Sequence, residues 1–238
     1  MKKIVVTGGS GRFGNVLKKI KTKYQLFFPD KKILDITNEL KTLNYLNKIK
    51  PSYLIHLAGL SRPMQIHNTD IEKSINLNIL GTANITKCCF KQNIKLIYFS
   101  TNYVYPGKKG NYKESDPLLP VNNYAWSKLG GESSVQLYKN SLVLRVAMTE
   151  KPFVHKKAIA NVKTSFVYQE QVAGILFKLL NCKGVINIGG PKKTVYKFAK
   201  KENPKIKKIF LNKKKNLGIP FDSSLDIRKL KKILNKKK

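Results

Sequence analysis

Short apolar runs alternate with longer amphipathic stretches from the first residues of this chain. Lys3-Ile4-Val5-Val6-Thr7 has the β-branched, continuous character of a strand buried on both faces, and a glycine cluster ends it. Four more segments read as strands: Tyr24-Gln25-Leu26-Phe27-Phe28, Ile33-Leu34-Asp35, Lys95-Leu96-Ile97-Tyr98-Phe99 and Ser141 to Val146. Tyr53-Leu54-Ile55-His56-Leu57-Ala58-Gly59 reads as a strand and its turn. Helices are predicted between them: from near Arg12, from the N-cap Asn38 to Lys50 where Pro51 stops it, from Asp70 to Gln92, and from Asn123 to Lys139. Strand followed by helix, several times over, implies a parallel sheet covered on both sides. Beyond Thr149 the pattern loosens into a helix near Gln169 to Leu180, a strand Gly184 to Ile188, a Gly189-Gly190-Pro191 turn and a final helix from Leu225. The expected architecture is α/β: a doubly wound parallel sheet over residues 1–148, and a small lobe over 149–238 interleaved with it.

Chemistry enters at the first turn. In Thr7-Gly8-Gly9-Ser10-Gly11-Arg12-Phe13-Gly14 the glycines fall between a strand and a helix start, where each has a use. Gly8 permits the tight turn, Gly11 lets the backbone approach a pyrophosphate at the helix N-terminus, and Gly14 allows close helix–strand packing. A bare structural turn fits three glycines too, among 15 in the chain, but the flanking pattern selects a Rossmann-like dinucleotide cradle. Asp30 follows the second strand, about 20 residues on, where an acid takes ribose hydroxyls. Lys31, Lys32 and Arg12 suit a 2′-phosphate instead, so both NADH and NADPH remain open.

Composition narrows the classes. At 238 residues and 42% apolar the chain can bury a full core. The net charge of +34 invites nucleic acid as a partner, but only four of the 47 basic residues are arginine and the lysines are scattered. That is a solvated, lysine-rich surface, including the terminal Lys229 to Lys238, rather than a nucleic-acid interface. Cys88, Cys89 and Cys182 make no disulfide framework, and His56, His67 and His155 form no metal-ligand spacing, so no metal is expected. No leader precedes the first strand, and no apolar run is long enough to span a bilayer. The expectation is a cytoplasmic protein without a membrane partner.

Tyr-x-x-x-Lys puts a phenol and an ammonium one helical turn apart, so that the cation can lower the phenol's pKa. Three such pairs occur. Pro106-Gly107 breaks Tyr105/Lys109, and Tyr196/Lys200 has no hydroxyl-bearing strand end before it. Tyr124/Lys128 lies on a predicted helix, behind a strand ending in Ser100-Thr101 whose C-terminal edge should line the ligand crevice. Thr101, Tyr124 and Lys128 therefore suggest carbonyl reduction. The bland readings are an ordinary amphipathic tyrosine and a threonine that closes a turn. Arg62, in Ser61-Arg62-Pro63-Met64, and Arg145 are candidates for substrate phosphates; a solvated loop arginine and a bracing arginine are the alternatives.

At this point the chain resembles an extended short-chain dehydrogenase/reductase, within the dTDP-4-dehydrorhamnose reductase group. The glycine loop, Leu34-Asp35-Ile36-Thr37, Asn78-Ile79-Leu80-Gly81-Thr82-Ala83-Asn84, Ser100-Thr101-Asn102-Tyr103-Val104-Tyr105, Tyr124 and Lys128 with Glu132, Leu144-Arg145, and Asp222 to Leu230 match that group's motifs in order. Asn102 stands where the family has aspartate, and the segment between Val146 and Lys163 is short. The resemblance implies NADPH or NADH as cofactor, with Gly8, Gly11, Arg12, Phe13, Gly14, Asp30, Lys31, Asp35, Ile36, Leu57, Ala58, Gly59, Asn78, Tyr124 and Lys128 around it. It also implies Arg62, Thr101, Asn102 and Arg145 near a nucleotide-sugar substrate, and a substrate role for the small lobe. Asn78 is either a relay to Lys128 or a helix-packing amide. Three functions remain open: reduction of a 4-keto-6-deoxy nucleotide sugar for surface polysaccharide, epimerisation or dehydration at the same site, and a non-catalytic cofactor-binding subunit. A homodimer is possible.

Overall fold

The computed structural model describes residues 1–215 and 218–236. In chain order its elements are β1 (Lys3–Thr7), α1 (Arg12–Leu17), β2 (Gln25–Phe27), α2 (Glu39–Ile49), β3 (Tyr53–His56), α3 (Ile66–Thr69), α4 (Ile71–Ser74), a π-helical turn (Ile75–Leu80), α5 (Gly81–Lys91) and β4 (Lys95–Thr101). There follow α6 (Asn123–Gln136), β5 (Ser141–Val146), β6 (Met148–Thr149), β7 (Lys157–Ile159), β8 (Lys163–Thr164), β9 (Val167–Tyr168) and α7 (Gln169–Leu179). The chain ends with β10 (Gly184–Ile188), β11 (Lys193–Thr194), α8 (Val195–Ala199), β12 (Lys207–Ile209) and α9 (Arg228–Asn235).

Six strands form one all-parallel sheet in the order β10-β5-β4-β3-β1-β2. Strand alternation divides their side chains between two cores. Ile4, Val6, Ile55, Ile97, Phe99, Leu142 and Leu144 face one layer that includes Leu17 of α1, Leu176 of α7 and Leu230 of α9. Val5, Leu54, Leu96, Tyr98 and Val143 face the other, against Leu46 of α2, Ile85 of α5 and Val135 of α6. Runs that are apolar at every position are what a sheet covered on both faces demands. Cys88 and Cys89 are buried in the second core, where burial pushes Cys88 up to about 11 and Cys89 well above the usual thiol range. Both are packing thiols. None of the helices of the described residues is long and apolar enough to cross a membrane.

Three sequence expectations need correction. Ile33-Leu34-Asp35 is no strand but a turn. The Asp30 carboxylate accepts from the Ile33 amide and the Asp35 carboxylate from the amide and hydroxyl of Thr37, while Leu34 and Ile36 plug the second core. Side-chain bonds to the local backbone have replaced a ladder there, and β2 is the sheet edge. The helix expected from Asp70 to Gln92 does run from the Asp70 cap, but widens into a π turn over Ile75–Leu80 that carries Asn78. The last helix begins at Arg228, because Leu225 pairs with Tyr112 in an isolated bridge; Lys237 and Lys238 of the predicted terminal helix lie outside the described residues.

The remainder of the chain divides between the sheet and small two-stranded ribbons. α7 and β10 return to the main sheet, whereas β7 pairs with β12 and β8 with β11 over a small core of Ala158, Val162, Val195, Ala199 and Ile206. The segment Asp222–Asp226 is a buried seam: Ser223 accepts from the Asn102 side-chain amide, Leu225 donates its backbone amide to Ser165 Oγ, and Asp226 donates its amide to Tyr112 O.

Candidate active site

Chain order changes direction between β1 and β3, which makes the crevice at their C-terminal ends the place for a ligand. Gly8 turns there with φ +70°, and a Cβ on it would lie 2.6 Å from the Ala58 amide nitrogen. A Cβ on Gly14 would lie 2.6 Å from Gly9 Cα, so α1 sits directly on the loop. Gly11 is extended, and no side chain accepts from the first amides of α1. This is a cradle with bare backbone donors, which fits a pyrophosphate in size and charge. Beneath it Thr7 Oγ1 meets His56 Nδ1 at 2.7 Å and accepts from the Ala58 amide at 3.2 Å, while His56 Nε2 meets Thr82 Oγ1 at 3.1 Å. Burial pushes His56 down to about 3, so this brace stays neutral.

The other predicted cofactor residues divide. Asp30 and Lys31 are exposed, and Lys31 pairs with Asp35 at 3.9 Å. Burial pushes Asp35 up, but Thr37 and Lys31 outweigh it and hold the carboxyl below its usual range. Phe13 and Ile36 are core residues: Phe13 packs on Phe99 at 5.1 Å between ring centres, and Ile36 fills the space beside Gly81. Leu57 and Ala58 are half-buried and Gly59 is exposed. Asn78 is buried; its Oδ1 accepts from the Leu60 amide at 2.7 Å, and its amide donates to Leu60 O at 2.9 Å and Ser127 Oγ at 2.8 Å. Both amide protons are thus spent on tying the Gly59–Leu60 turn to α6. Only the second lone pair of Oδ1 is left for the relay expected from the resemblance.

Thr101 and Tyr124 come together. Thr101 ends β4, where its hydroxyl accepts from the Tyr103 amide at 3.2 Å and lies near enough to the Tyr124 phenol to favour its ionised form. Asn122 caps α6 and sets Tyr124 in its first turn. Tyr124 is partly exposed, yet its hydroxyl is deep among protein atoms. Burial pushes the phenol up to about 12, against the downward pull of the Thr101 bond and of Arg62 and Arg12. Lys128 is buried with its Nζ 4.2 Å from the centre of the Tyr98 ring, and burial, only partly offset by Glu132, brings it down to about 7. The sequence expectation that Lys128 lowers the phenol is therefore corrected. In a dry site both groups move toward their neutral forms, and the ammonium faces Tyr98 instead.

A pH test follows. Between about pH 7 and 10.5 the unfolded chain keeps a proton at Lys128 that the folded chain has lost, so folding stability rises with pH through that window. Below it both states are charged and the folded state bears the whole desolvation cost. Urea unfolding of wild type and Lys128→Met is expected to diverge by a few kcal/mol in favour of the wild type from pH ~6 to ~10. A difference that stays flat rules out the lowered pKa of Lys128.

Two predicted substrate residues turn inward. Arg145 donates from Nε and Nη2 to Glu132 Oε1 at 3.0 and 2.7 Å, and from Nη1 to Tyr105 Oη and Glu114 O. Every arm is occupied beneath the sheet's edge, so it braces the fold. Asn102 is buried as well, donating to Ser223 O and Oγ at 3.1 and 2.9 Å. Arg62 remains at the surface, and Glu150 holds it: Nη1 meets Glu150 Oε1 at 2.9 Å, while Arg12 Nε meets the same oxygen at 3.3 Å. Burial raises the Glu150 carboxyl, but its own amide and the two guanidinium groups leave it net below the usual range. Glu150 was missed from sequence. The available signal was its isolation, since it is the one acid between Glu132 and Glu170 in a chain with 13.

Comparison with known proteins places these features in context. The family described as RmlD substrate binding domain matches residues 1–156. A dTDP-4-dehydrorhamnose reductase of Aggregatibacter actinomycetemcomitans is 29% identical over 154 residues, 63% of this chain and 52% of that protein. Methionine adenosyltransferase 2 subunit beta of Xenopus laevis is 30% identical over 155 residues, 61% of this chain and 46% of that one. The chain thus spans about half the length of these curated relatives. The crystal structure of dTDP-4-dehydrorhamnose reductase from Bacillus anthracis in complex with NADP superposes with a TM-score of 0.86 at 24% identity, over 99% of this chain and 93% of that one. That likeness fixes the fold as Rossmann-like.

Proposed function

The chain belongs to the RmlD substrate binding domain family, and from that premise we propose that it is an NAD(P)H-dependent reductase of a nucleotide-activated 4-keto-6-deoxy sugar. One observation carries the reading: Thr101 at the end of β4 and Tyr124 in the first turn of α6 come together, near enough for the Thr101 hydroxyl and the charges of Arg62 and Arg12 to pull on the phenol's ionisation. The similar protein named dTDP-4-dehydrorhamnose reductase supports the substrate class.

When bound, the reduced nicotinamide supplies a hydride to the keto carbon. The loop Gly8–Gly14 and the uncapped start of α1 would hold the pyrophosphate, and Asp30, Lys31 and Asp35 would meet the adenosine half. Thr101 orients and polarises the carbonyl oxygen, and Tyr124 gives that oxygen its proton as the alkoxide forms. The phenol at about 12 is neutral at physiological pH and so holds the proton it must give. Lys128, near 7 in the free protein, would be held as an ammonium by the field of a bound cofactor's phosphates and would then be able to return a proton toward the phenol. Arg62 meets the substrate diphosphate once Glu150 releases it, and residues 149–238 supply the substrate-side wall. We place the protein in the cytoplasm, in the supply of surface polysaccharide precursors.

A second reading, a non-catalytic cofactor-binding subunit, is favoured by the relatives named as subunits of methionine adenosyltransferase. The retained Thr101, Tyr124 and Lys128 count against it. Absorbance of reduced cofactor followed against a panel of nucleotide keto sugars separates the possibilities. Net oxidation is expected; product change without oxidation means epimerisation, and binding without either means a subunit.

A further inference from the structure

His67 is absent from every role assigned above, yet its ring packs against the ring of Tyr124, with centres 5.2 Å apart and planes tilted by 58°. Tyr103 stands edge-on to the same phenol at 6.4 Å, so the phenol is held between two rings. The His67 residue is 1% exposed. Its Nδ1 is committed to Ser74 Oγ at 2.7 Å, and its carbonyl accepts from Asn123 Nδ2, the side chain just before Tyr124. Nε2 has no partner. Among the described residues it is the one buried side-chain nitrogen or oxygen of which this is true.

A buried polar atom without a partner costs on the order of 1–3 kcal/mol, and such atoms in a folded protein call for an explanation. Burial also lowers the pKa of His67, keeping the imidazole neutral and able to act as donor or acceptor. Because the Ser74 hydroxyl can give or take a hydrogen, the tautomer is free to follow whatever meets Nε2. The side chain is thus oriented by Ser74, braced through Asn123, and set beside the group that protonates the substrate.

We propose that His67 Nε2 is a specificity contact, hydrogen-bonding the sugar hydroxyl on the carbon next to the reacting carbonyl and so registering that carbonyl on Tyr124 and Thr101. This rests on the reductase reading. A site built around a hydroxyl discriminates strongly against a sugar that lacks it, since the buried nitrogen is then left unpaired.

The test uses the two amide side chains that mimic the two ring nitrogens. In His67→Asn the amide takes the place of Nδ1 and keeps Ser74 but loses the Nε2 contact; in His67→Gln the amide reaches the place of Nε2. With reduced cofactor and dTDP-4-dehydrorhamnose, or the panel sugar with the highest wild-type kcat/KM, His67→Asn is expected to lose about 10- to 100-fold in kcat/KM. His67→Gln is expected to stay within about threefold to tenfold, and cofactor Kd to be unchanged in both. Equal kinetics for wild type and His67→Asn overturn the proposal, as do equal losses in both variants accompanied by weaker cofactor binding, the mark of a packing role. Wild-type enzyme offers a test that needs no variant to fold: a substrate with hydrogen in place of that hydroxyl must lose at least tenfold in kcat/KM, and a smaller loss also overturns it. An active wild type with an indifferent His67→Asn defeats this inference alone, whereas a wild type inert toward every keto sugar defeats the reductase reading as well.

Discussion

Replacing Tyr124 with phenylalanine is expected to lower the turnover of the keto sugar by about 10²- to 10⁴-fold, the usual worth of a positioned proton donor. The structure predicts that little else changes. Phenylalanine keeps the ring that packs between His67 and Tyr103, and α6 keeps its Asn122 cap. What disappears is the hydroxyl near Thr101, the atom proposed to give its proton to the developing alkoxide. Cofactor Kd, measured by fluorescence of the reduced nicotinamide, is expected to stay within about threefold, because the proposed pyrophosphate cradle is the glycine loop, which the change leaves untouched. Thr101→Ala should cost less, since it loses the orienting hydroxyl but not the proton. Turnover by Tyr124→Phe at the wild-type rate would remove the phenol from the chemistry.

Arg145→Met is expected to be the most destabilising single change, by about 3–5 kcal/mol in urea unfolding. Glu132 is fully buried and its partner's side chain is 3% exposed, at 2.7 Å. Without the guanidinium the carboxylate keeps Ser100 and Gln136 as donors but loses its bonded countercharge. Tyr105 and the Glu114 carbonyl lose a donor at the same time. The penalty is mainly that of an orphaned charge, so Arg145→Met combined with Glu132→Leu should recover a large part of it. A single variant as stable as the wild type would mean that Glu132 takes up a proton cheaply, and a double variant no better than the single would locate the damage in Tyr105 and its neighbours. Either result revises the view of Arg145 as a brace.

Several parts of the molecule were legible because their cause is local. Alternation at Ile4-Val5-Val6 and Leu96-Ile97-Tyr98 needs only a strand with two covered faces, and the two cores divide those residues one by one. Asn38 as a cap and Pro51 as a stop act within a few residues, and α2 ends where they direct. Ile33-Leu34-Asp35 misled because an apolar pair beside an acid suits a short strand and a plugged turn equally. Asp30 and Asp35 decided for the turn by taking nearby amides and a hydroxyl. Arg145 is ambiguous in sequence for a different reason. A buried arginine at a strand end has the same letter whether it faces a phosphate or a carboxylate, and its partner Glu132 arrives from a helix that only packing brings near.

By itself the chain determined the strand and helix alternation, the glycine turn and the one helical tyrosine–lysine pair that follows a hydroxyl-bearing strand end, because sterics, hydrogen-bonding rules and side-chain period act over short stretches. Tertiary structure alone decided which charges neutralise each other and how far each ionisation moves. Coulomb and desolvation energies depend on distance and depth, so Glu150 between Arg12 and Arg62, Lys128 turned onto Tyr98, and the unpartnered nitrogen of His67 became visible only once distant segments were folded against one another.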